Sequence, residues 1–534
     1  MDVQEHYERY QDAYQYKKRW LGLYQDLYFY VIPNRDAFNV IGNYNDKGKP
    51  TTSGIWDNTA VLSSYERAND LHALLMPKDR VWGRATLDPH LHDSKEIDAL
   101  QPGLDEINDR IMFYLNQSNL ARIISSSNLD LIGGTAALWV EYINSDNPLS
   151  FKAIPAIALY IEQSTDDLVN TGWYQSNMCA RKIIEEFPDY KGTSLQMLKD
   201  NPNEIHQVIY GQIGKKDEKS KVTKYYIYAV LESDQENILW EIERTYPQLI
   251  VYRDRVRPGE ADGRGIGLDL LPTIRDLNNL VRDDRKNKAF KADPPMFYDN
   301  NKMFNPWSVK SWSGAMIARQ PGQRNPIEAL QMPVYPEVRE DIRMLQDVIK
   351  KGFQVDPLGE INNPVKTATE ISIRENRAQR SSSTDIARLI NELPKQVFQV
   401  AAEILKESQM LTRKRDINAF PHDVKSLTFE FQSPLYDIQN KSDIENFVQN
   451  LQLKQQFFGQ GAAMATVNIS VANNFLTKKF NLPSKLFKSA EEIEDIMNQS
   501  GQQEQQAQQA QQGSPTPTTT GSQVGLPQGT PEQF

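Results

Sequence analysis

The sequence predicts an α+β protein built from several domains. Stretches with apolar side chains at helical spacing alternate with short β-prone runs over residues 1–265, and helical patterns dominate from there to residue 497. The length of 534 residues also exceeds one compact core at the usual size of roughly 150 residues per domain.

The first predicted helix covers residues 4–30, where aromatic side chains recur at helical spacing until Pro33 ends the pattern. These aromatic residues either pack on the helix's own domain or form a site for a ligand. A second helix is predicted from Thr59 to Leu75, before the stop at Pro77. Strands are predicted near Trp82, after the Gly133-Gly134 pair, and in the runs AIALYIEQ, KYYIYAVL and LIVYRDRV.

Two helices with narrow apolar stripes bracket an insertion rich in Pro, Asn and Trp at residues 294–335. The stripes are formed by Leu270, Ile274, Leu277 and Val281 in the first helix and by Val338, Ile342, Leu345 and Ile349 in the second. An insertion held between two such helices should project from the body of the protein on a helical stalk.

A long polar helix is predicted to begin at Thr367, which forms a capping box with Glu370. From Ser372 to Asp385 only Ile373 and Ala378 are apolar, too few for a stripe that packs on a core. Such a helix is stable if its neighbours are copies of itself and its remaining face lines a wet channel. Pro394 is predicted to kink or break it.

Composition excludes several classes of protein. The formal charge of −10 argues against a protein that grips nucleic acid over its whole surface. The single cysteine, Cys179, excludes an intrachain disulfide and a thiolate zinc cluster. The sequence has no run of about 18 apolar residues of the kind that spans a membrane. Its N-terminal residues also lack the apolar core of a signal peptide. We therefore expect a cytosol-like compartment.

The chemistry-bearing motifs of common enzymes are missing. The sequence has no Walker phosphate loop, no G-x-S-x-G and no H-E-x-x-H. We interpret His90 and His92 as part of a solvated loop rather than a metal site, and DGRGIG as a turn rather than a dinucleotide fingerprint. We therefore expect no cofactor, no metal and no enzymatic activity. An enzyme whose site is assembled from scattered carboxylates remains the rival class.

Four segments resemble the head-to-tail connector, or portal, proteins of short-tailed, podovirus and autographivirus-like bacteriophages. They are RVRPGEADGRGIGLDLLPTIRDLNNL, TATEI, LLMPKDRVWGRATL and LDLIGGTAALWVEY. Their order and intervals are similar to those of the family, and Met76 stands where the family has phenylalanine. The resemblance covers residues 5 to 495 and leaves out the tail and the insertion.

The resemblance implies a portal fold assembled as a ring of twelve copies, with a wing, a stem, a clip and a crown. It places these regions at the following residues: α+β wing 1–265, first stem helix 266–293, clip 294–335, second stem helix 336–355, tunnel loop 356–366, long channel helix 367–410 and helical crown 411–497. Residues 498–534 are too poor in apolar side chains to fold, and we predict a disordered Gln-rich tail there.

The implied function is a ring at one capsid vertex, through which viral DNA is packaged and ejected. Its implied partners are further copies of itself, sequence-nonspecific double-stranded DNA, the terminase motor, tail adaptor and tube proteins, and capsid and scaffold proteins, without a membrane. The protein would be assembled in the host cytoplasm and reside in the virion. A tail adaptor or other virion ring protein is the alternative.

Candidate site residues fall in three groups, all of them hypotheses. Those expected to line the DNA channel are Lys366, Glu370, Arg374, Arg377 and Arg380, with bridges between subunits as the alternative for the arginines. Those expected to form a flexible tunnel loop are Pro357, Gly359, Asn362, Asn363 and Pro364. Those expected to dock a partner ring from the clip are Trp307, Trp312, Arg319 and Arg324.

Overall fold

The computed structural model shows a mixed α+β chain. It describes residues 3–35, 52–78, 80–87, 94–162, 168–216, 223–292, 296–298, 327–329, 337–354, 383–411, 427–431, 434–458 and 472. The helices are α1 (Val3–Lys18), α2 (Leu21–Tyr30), α3 (Thr59–Leu75), α4 (Ser94–Gln117), α5 (Leu120–Leu131), α6 (Ala180–Glu186), α7 (Leu195–Asp200), α8 (Ile266–Ala292), α9 (Glu337–Gly352), α10 (Ser383–Glu392), α11 (Pro394–Glu407) and α12 (Pro434–Phe458).

The strands form antiparallel sheets. They are β1 (Gly83–Leu87), β2 (Thr135–Glu141), β3 (Ser150–Ile154), β4 (Leu159–Ile161), β5 (Gly172–Cys179), β6 (Ile205–Lys216), β7 (Thr223–Leu231), β8 (Asp234–Arg244), β9 (Leu249–Arg253), β10 (Arg255–Val256), β11 (Gly263–Arg264), β12 (Met296–Tyr298), β13 (Ile327–Ala329) and β14 (Leu427–Phe431). The largest sheet has the order β4-β5-β6-β7-β8, and a second sheet has the order β3-β2-β9. The α+β class predicted from the sequence is confirmed.

The N-terminal region forms two helices, and the single helix predicted over residues 4–30 is wrong. The chain turns at Arg19 and Trp20, whose N–H groups donate to carbonyls three residues back at 3.2 and 2.8 Å. The two halves pack in different places, since α1 lies on the five-stranded sheet whereas α2 joins the core around α8. The turn lets one continuous aromatic pattern fill both cores. Tyr10, Tyr24 and Tyr28 are all buried, which agrees with packing on the chain's own domain.

The β2 strand is paired at both edges, with β3 and β9, and buried on both faces, because α5 packs over one face and Tyr174 and Tyr210 of the five-stranded sheet pack on Trp139 from the other. Its side chains from Ala136 to Val140 are almost fully inaccessible to solvent. This explains why the run reads as continuously apolar rather than alternating. Because the strand is buried in this way, its position is fixed, and the elements that start beside it are positioned by it.

A glycine junction joins the start of β2 to the start of α8. We give this name to Gly133 and Gly134 together with Gly263 and Gly265. The Gly265 N–H donates to the Gly133 carbonyl at 3.2 Å, and the Gly267 N–H donates to the Ile132 carbonyl at 2.9 Å. A Cβ on Gly134 would lie 2.3 Å from the Gly263 oxygen, and one on Gly265 would lie 2.1 Å from the Ile132 oxygen. Only glycine permits this backbone approach.

The DGRGIG segment is thus part of a backbone packing contact as well as a turn. Gly263 and Arg264 form β11, which pairs with β10, and α8 begins directly afterwards at Ile266. The junction sets the position and direction of the first turn of α8.

The helices α8 and α9, called the helix pair below, pack side by side. Leu271, Ile274, Leu277 and Val281 are buried on α8, and Ile349 is buried on α9. Gly352 faces Leu270, since a Cβ there would lie 2.6 Å from a Leu270 methyl carbon. Gln346 donates to Asp57 at 2.8 Å, and the neighbouring Trp56 N–H donates to Asn278 at 2.7 Å.

The helix pair is therefore antiparallel, because residues 352 and 346 of α9 lie beside residues 270 and 278 of α8. The two helices predicted from the apolar stripes are present, with bounds close to those expected. The ends of the pair that lie away from the glycine junction are Ala292 and Glu337.

The predicted polar helix lies largely outside the described residues, but the predicted break at Pro394 is present. In the described part, α10 ends at Glu392 and α11 begins with Pro394 as its first residue, where the missing N–H is harmless. Phe398 of α11 packs on Trp82 and on Phe429 of β14. The strand β14 pairs with β1, which lies about 340 residues earlier in the chain.

The chain divides into two compact units, residues 1–92 with 103–436, and residues 93–102 with 437–534. Apart from the start of α4 and most of α12, the elements above belong to the first unit. The described portions of the second are helical and comprise the start of α4 and most of α12. None of the helices in the described ranges is long and apolar enough to cross a membrane.

Replacing Gly134 should test the glycine junction. Gly134 has a φ of +113°, and an added Cβ meets backbone that has no room to move. We expect Gly134→Ala to lower the free energy of unfolding by about 2–5 kcal/mol in urea denaturation, through backbone strain and overpacking.

Gly22→Ala is the matched control, because nothing lies within 4 Å of a Cβ added at this helical position. It should be neutral or stabilise the protein by up to about 1 kcal/mol. Equal urea midpoints for Gly134→Ala and the wild type would show that the contact is dispensable.

Candidate functional site

The residues proposed from the sequence for the channel, the tunnel loop and the clip lie outside the described residues. They are Lys366, Glu370, Arg374, Arg377, Arg380, Pro357, Gly359, Asn362, Asn363, Pro364, Trp307, Trp312, Arg319 and Arg324. They stay predictions. The structure describes instead the two places where the segment that carries the proposed channel residues joins the described chain.

The attachment point lies at the glycine-junction end of the helix pair. Gly352 and Gln354 at the end of α9, Leu389 of α10 and Ile266 at the start of α8 line one cavity of about 120 Å³. Phe353 is fully buried in the core around α8, so the end of α9 is held firmly. Gln354 then adopts a left-handed φ of 58°, a conformation common where helices end. The chain thus leaves α9 and returns in α10 around one cavity.

A buried ion pair fixes α10 at this place. Glu392, the last residue of α10, accepts a hydrogen bond from Arg253 Nη2 at 2.7 Å through Oε1 and from the Arg253 amide at 2.7 Å through Oε2. Arg253 also donates from Nη1 to the Ala261 carbonyl at 3.2 Å. Burial raises the pKa of Glu392, whereas the charge and hydrogen bonds of Arg253 oppose that rise. Both carboxylate oxygens are engaged, so the end of α10 is fixed in position and orientation.

The second buried pair fixes α1. Lys17 Nζ donates to Asp262 Oδ1 at 2.7 Å, and both side chains are almost fully inaccessible to solvent. The ammonium also lies 4.5 Å from the centre of the Tyr24 ring. Asp262 directly precedes Gly263, so this contact ties the N-terminal helix to the glycine junction.

The third pair lies beside Gly133 and Gly134, at the end of α5. Asp130 accepts hydrogen bonds from Tyr28 Oη at 2.6 Å and from Arg35 Nε at 3.0 Å. Burial raises the pKa of Asp130, and Arg35 opposes the rise. The Asp130 carbonyl accepts from the Gly133 N–H at 2.9 Å. Two buried ion pairs and a third with a partly exposed Arg35 therefore surround the junction, and removing one partner from either buried pair would leave an uncompensated charge.

Sequence reasoning missed these three pairs. Their partners are separated by 245, 139 and 95 residues, so no local spacing indicates them. For two of the pairs the local signal is the acidic residue near the glycines in LDLIGG and EADGRG, whereas Arg253 and Glu392 have no such neighbour. Charged residues next to glycines in a close backbone contact are candidates for buried partners.

In the described part of the chain, no cluster of three or more His, Cys, Asp or Glu side chains is arranged to hold a metal ion. His90 and His92 lie outside that part.

The features described so far are an α+β body and a helix pair that starts at the glycine junction. Comparison with known families shows which class of protein has such a chain. Residues 3–487 match the family model described as bacteriophage head to tail connecting protein. Because the match spans most of the chain, the protein belongs to this family of head-to-tail connectors, a structural component of phage particles. The resemblance found in the four sequence segments is confirmed.

One solved structure similar to this chain is described as the neck of an empty GTA particle computed with C6 symmetry. The identity is 10%, the TM-score is 0.34, and the alignment covers 80% of this chain and 90% of that chain. At this TM-score the likeness carries no argument about fold or function. No curated protein matches the chain.

Glu392→Gln should test the buried pair at the end of α10. The change leaves the Arg253 guanidinium buried without its counter-charge, so we expect the free energy of unfolding to fall by about 3–5 kcal/mol. Urea denaturation of the full chain measures this.

Glu407→Gln is the matched control, because Glu407 pairs with Arg244 at the surface. Its effect should stay within about 1 kcal/mol. Replacing both buried partners, with Arg253→Met and Glu392→Leu, should recover part of the loss. A Glu392→Gln variant as stable as the control would mean that the pair does not hold α10.

Proposed function

We propose that this protein is the portal, a ring of about twelve copies at one capsid vertex. The ring forms the channel through which DNA is packaged and later ejected. The family match over residues 3–487 carries this proposal. The helix pair supports it, because α8 and α9 run antiparallel from one junction and bracket residues 294–335, which are the proposed clip.

The proposed regions follow the order in the chain. The body before α8 is the wing, and the helix pair is the stem. The insertion is the clip, which docks the terminase during packaging and tail proteins afterwards. Residues 411–497 are the crown, on the side of the capsid interior. The ring also nucleates head assembly with capsid and scaffold proteins in the host cytoplasm.

The tunnel loop and channel helix are proposed within residues 356–410. The described geometry supports this, because the chain is fixed before the loop, where Phe353 is buried, and again within the proposed channel helix, where Glu392 is held by Arg253. A segment whose two attachment points are rigid can move without disturbing the ring. Lys366 is the proposed phosphate contact, and the arginines at 374, 377 and 380 either bridge subunits or contact DNA.

The charge of the chain suits a channel that lets DNA slide. A ring of twelve copies would carry roughly −120 charges, a field that discourages DNA from sticking at many points. A few basic side chains at the narrowest place then hold phosphates transiently and without sequence preference. ATP hydrolysis is assigned to a separate protein, the terminase, and the portal itself has no catalytic role.

Electron microscopy of the purified chain tests the ring. We expect negative-stain class averages with a central hole and twelve-fold or near-twelve-fold symmetry. Compact monomers or dimers at micromolar concentration would contradict the proposal.

A tail adaptor would also form a ring, so a second measurement separates the two functions. Gold-labelled antibody against this chain should mark one vertex of empty heads that have not received DNA, because a nucleating ring is present from the start. An adaptor joins the completed head and would leave these empty heads unlabelled.

Lys366→Ala tests the DNA contact. Loss of a phosphate contact should reduce the DNase-protected DNA per head several-fold, with a smaller deficit at higher salt, because the wild-type contact is itself weakened by salt. The control is Lys182→Ala, an exposed lysine on α6 in the proposed wing. If Lys366→Ala and swaps of the neighbouring charges leave both packaging and DNA retention unchanged, the contact lies elsewhere.

A further inference from the structure

The helix pair has two open sides that face away from each other. Successive residues of an α-helix are rotated by about 100°, so positions around each helix can be compared with a known contact. On α8, Arg282 and Lys286 lie roughly 120° and 160° round from Leu270, which contacts α9. On α9, Glu340 lies roughly 120° round from Gly352, which contacts α8.

The open side of α9 is acidic near its start. Glu337 and Glu340 are exposed, and neither has an ion-pair partner among the described residues. Met344 follows one turn later on the same side, with 59% of its surface exposed. We call Glu337, Glu340 and Met344 the acidic side of the helix pair.

The open side of α8 is basic near its end. Arg282 and Lys286 share Asp283 as an in-chain partner, at 3.2 and 3.7 Å, so the three residues retain one net positive charge. Phe290 follows one turn later and is 45% exposed. We call Arg282, Lys286 and Phe290 the basic side.

The two sides also lie at matching heights along the pair. Because residues 346 and 352 of α9 lie beside residues 278 and 270 of α8, Glu340 lies level with residues near 284. Glu337 and Glu340 on one edge are therefore level with Lys286 and Arg282 on the other. Each side also has one exposed large apolar side chain, Met344 on the acidic side and Phe290 on the basic side, which a partner that docks there would cover.

We infer that the acidic side of one copy docks on the basic side of the next copy, head to tail. A surface pair of opposite sign on opposite edges of one molecule fits a second copy of that molecule in a heterologous contact, which closes as a ring. Opposite charges in register set the orientation and the height of neighbouring copies. The inference rests on the proposed ring and names the side chains that join its copies.

Complementary charge reversal tests this docking on the full chain. Variant A carries Glu337→Lys and Glu340→Lys, so both of its sides are basic. Variant B carries Arg282→Glu and Lys286→Glu, so both of its sides are acidic. Alone, each variant faces like charges at every contact, and mass photometry should show the concentration for half assembly raised by about tenfold or more.

An equimolar mixture of A and B should assemble like the wild type, in rings with an even number of copies. Each A–B contact then has opposite charges, provided that the contact is head to tail. The control variant carries Glu185→Lys and Asp189→Lys, two exposed acids on and beside α6 with no ion pair among the described residues. It has the same charge change as A and should assemble normally.

The outcomes separate this inference from the proposed function. If the wild type forms no ring, the proposed function fails. If the wild type forms rings and A and B do so equally well alone, or if folded A and B fail to assemble when mixed, the docking surfaces assigned here are wrong. Circular dichroism establishes that A and B are folded.

Discussion

The close approach of two glycine backbones is the constraint on which the rest of the structure depends. Where Gly133 and Gly134 meet Gly263 and Gly265, main-chain atoms of segments about 130 residues apart touch without side chains between them. The β2 strand starts on one side of this contact, and α8 starts on the other. The position of α8, and through it that of α9, depends on these few peptide groups.

Buried ion pairs complete the junction at a thermodynamic cost. Taking Lys17, Asp262, Arg253 and Glu392 out of water is unfavourable, and the attraction within each pair offsets that cost only when its geometry is good. An apolar core would tolerate small shifts of its side chains, whereas a buried charge must meet one partner. The pairs therefore give the junction specificity in return for little net stability. The positions of α1 and α10 both depend on these two pairs, through Lys17 and Glu392.

The sequence indicated the regular elements well. The apolar stripes of α8 and α9, the helix α3 and the break at Pro394 follow from spacing and from proline, which act over a few residues. The turn at Arg19 could not be predicted, because the aromatic pattern continues through it and the buried contact of the neighbouring Lys17 is with Asp262, 245 residues away. The ion pairs were missed for the same reason. The channel residues were proposed from composition and resemblance, and their roles stay predictions.

The length of α8 gives the junction a further significance. Its 27 residues extend about 40 Å at 1.5 Å per residue, so a tilt of 5° at its first turn would move its far end by roughly 3–4 Å. A displacement of that size exceeds the tolerance of a hydrogen bond or a salt bridge. Angular error at the base is thus amplified along the helix, so the junction has more influence on the far end than the contacts further along α8. Contact between backbones, which have no rotamers, leaves little freedom for the helix to tilt at its base.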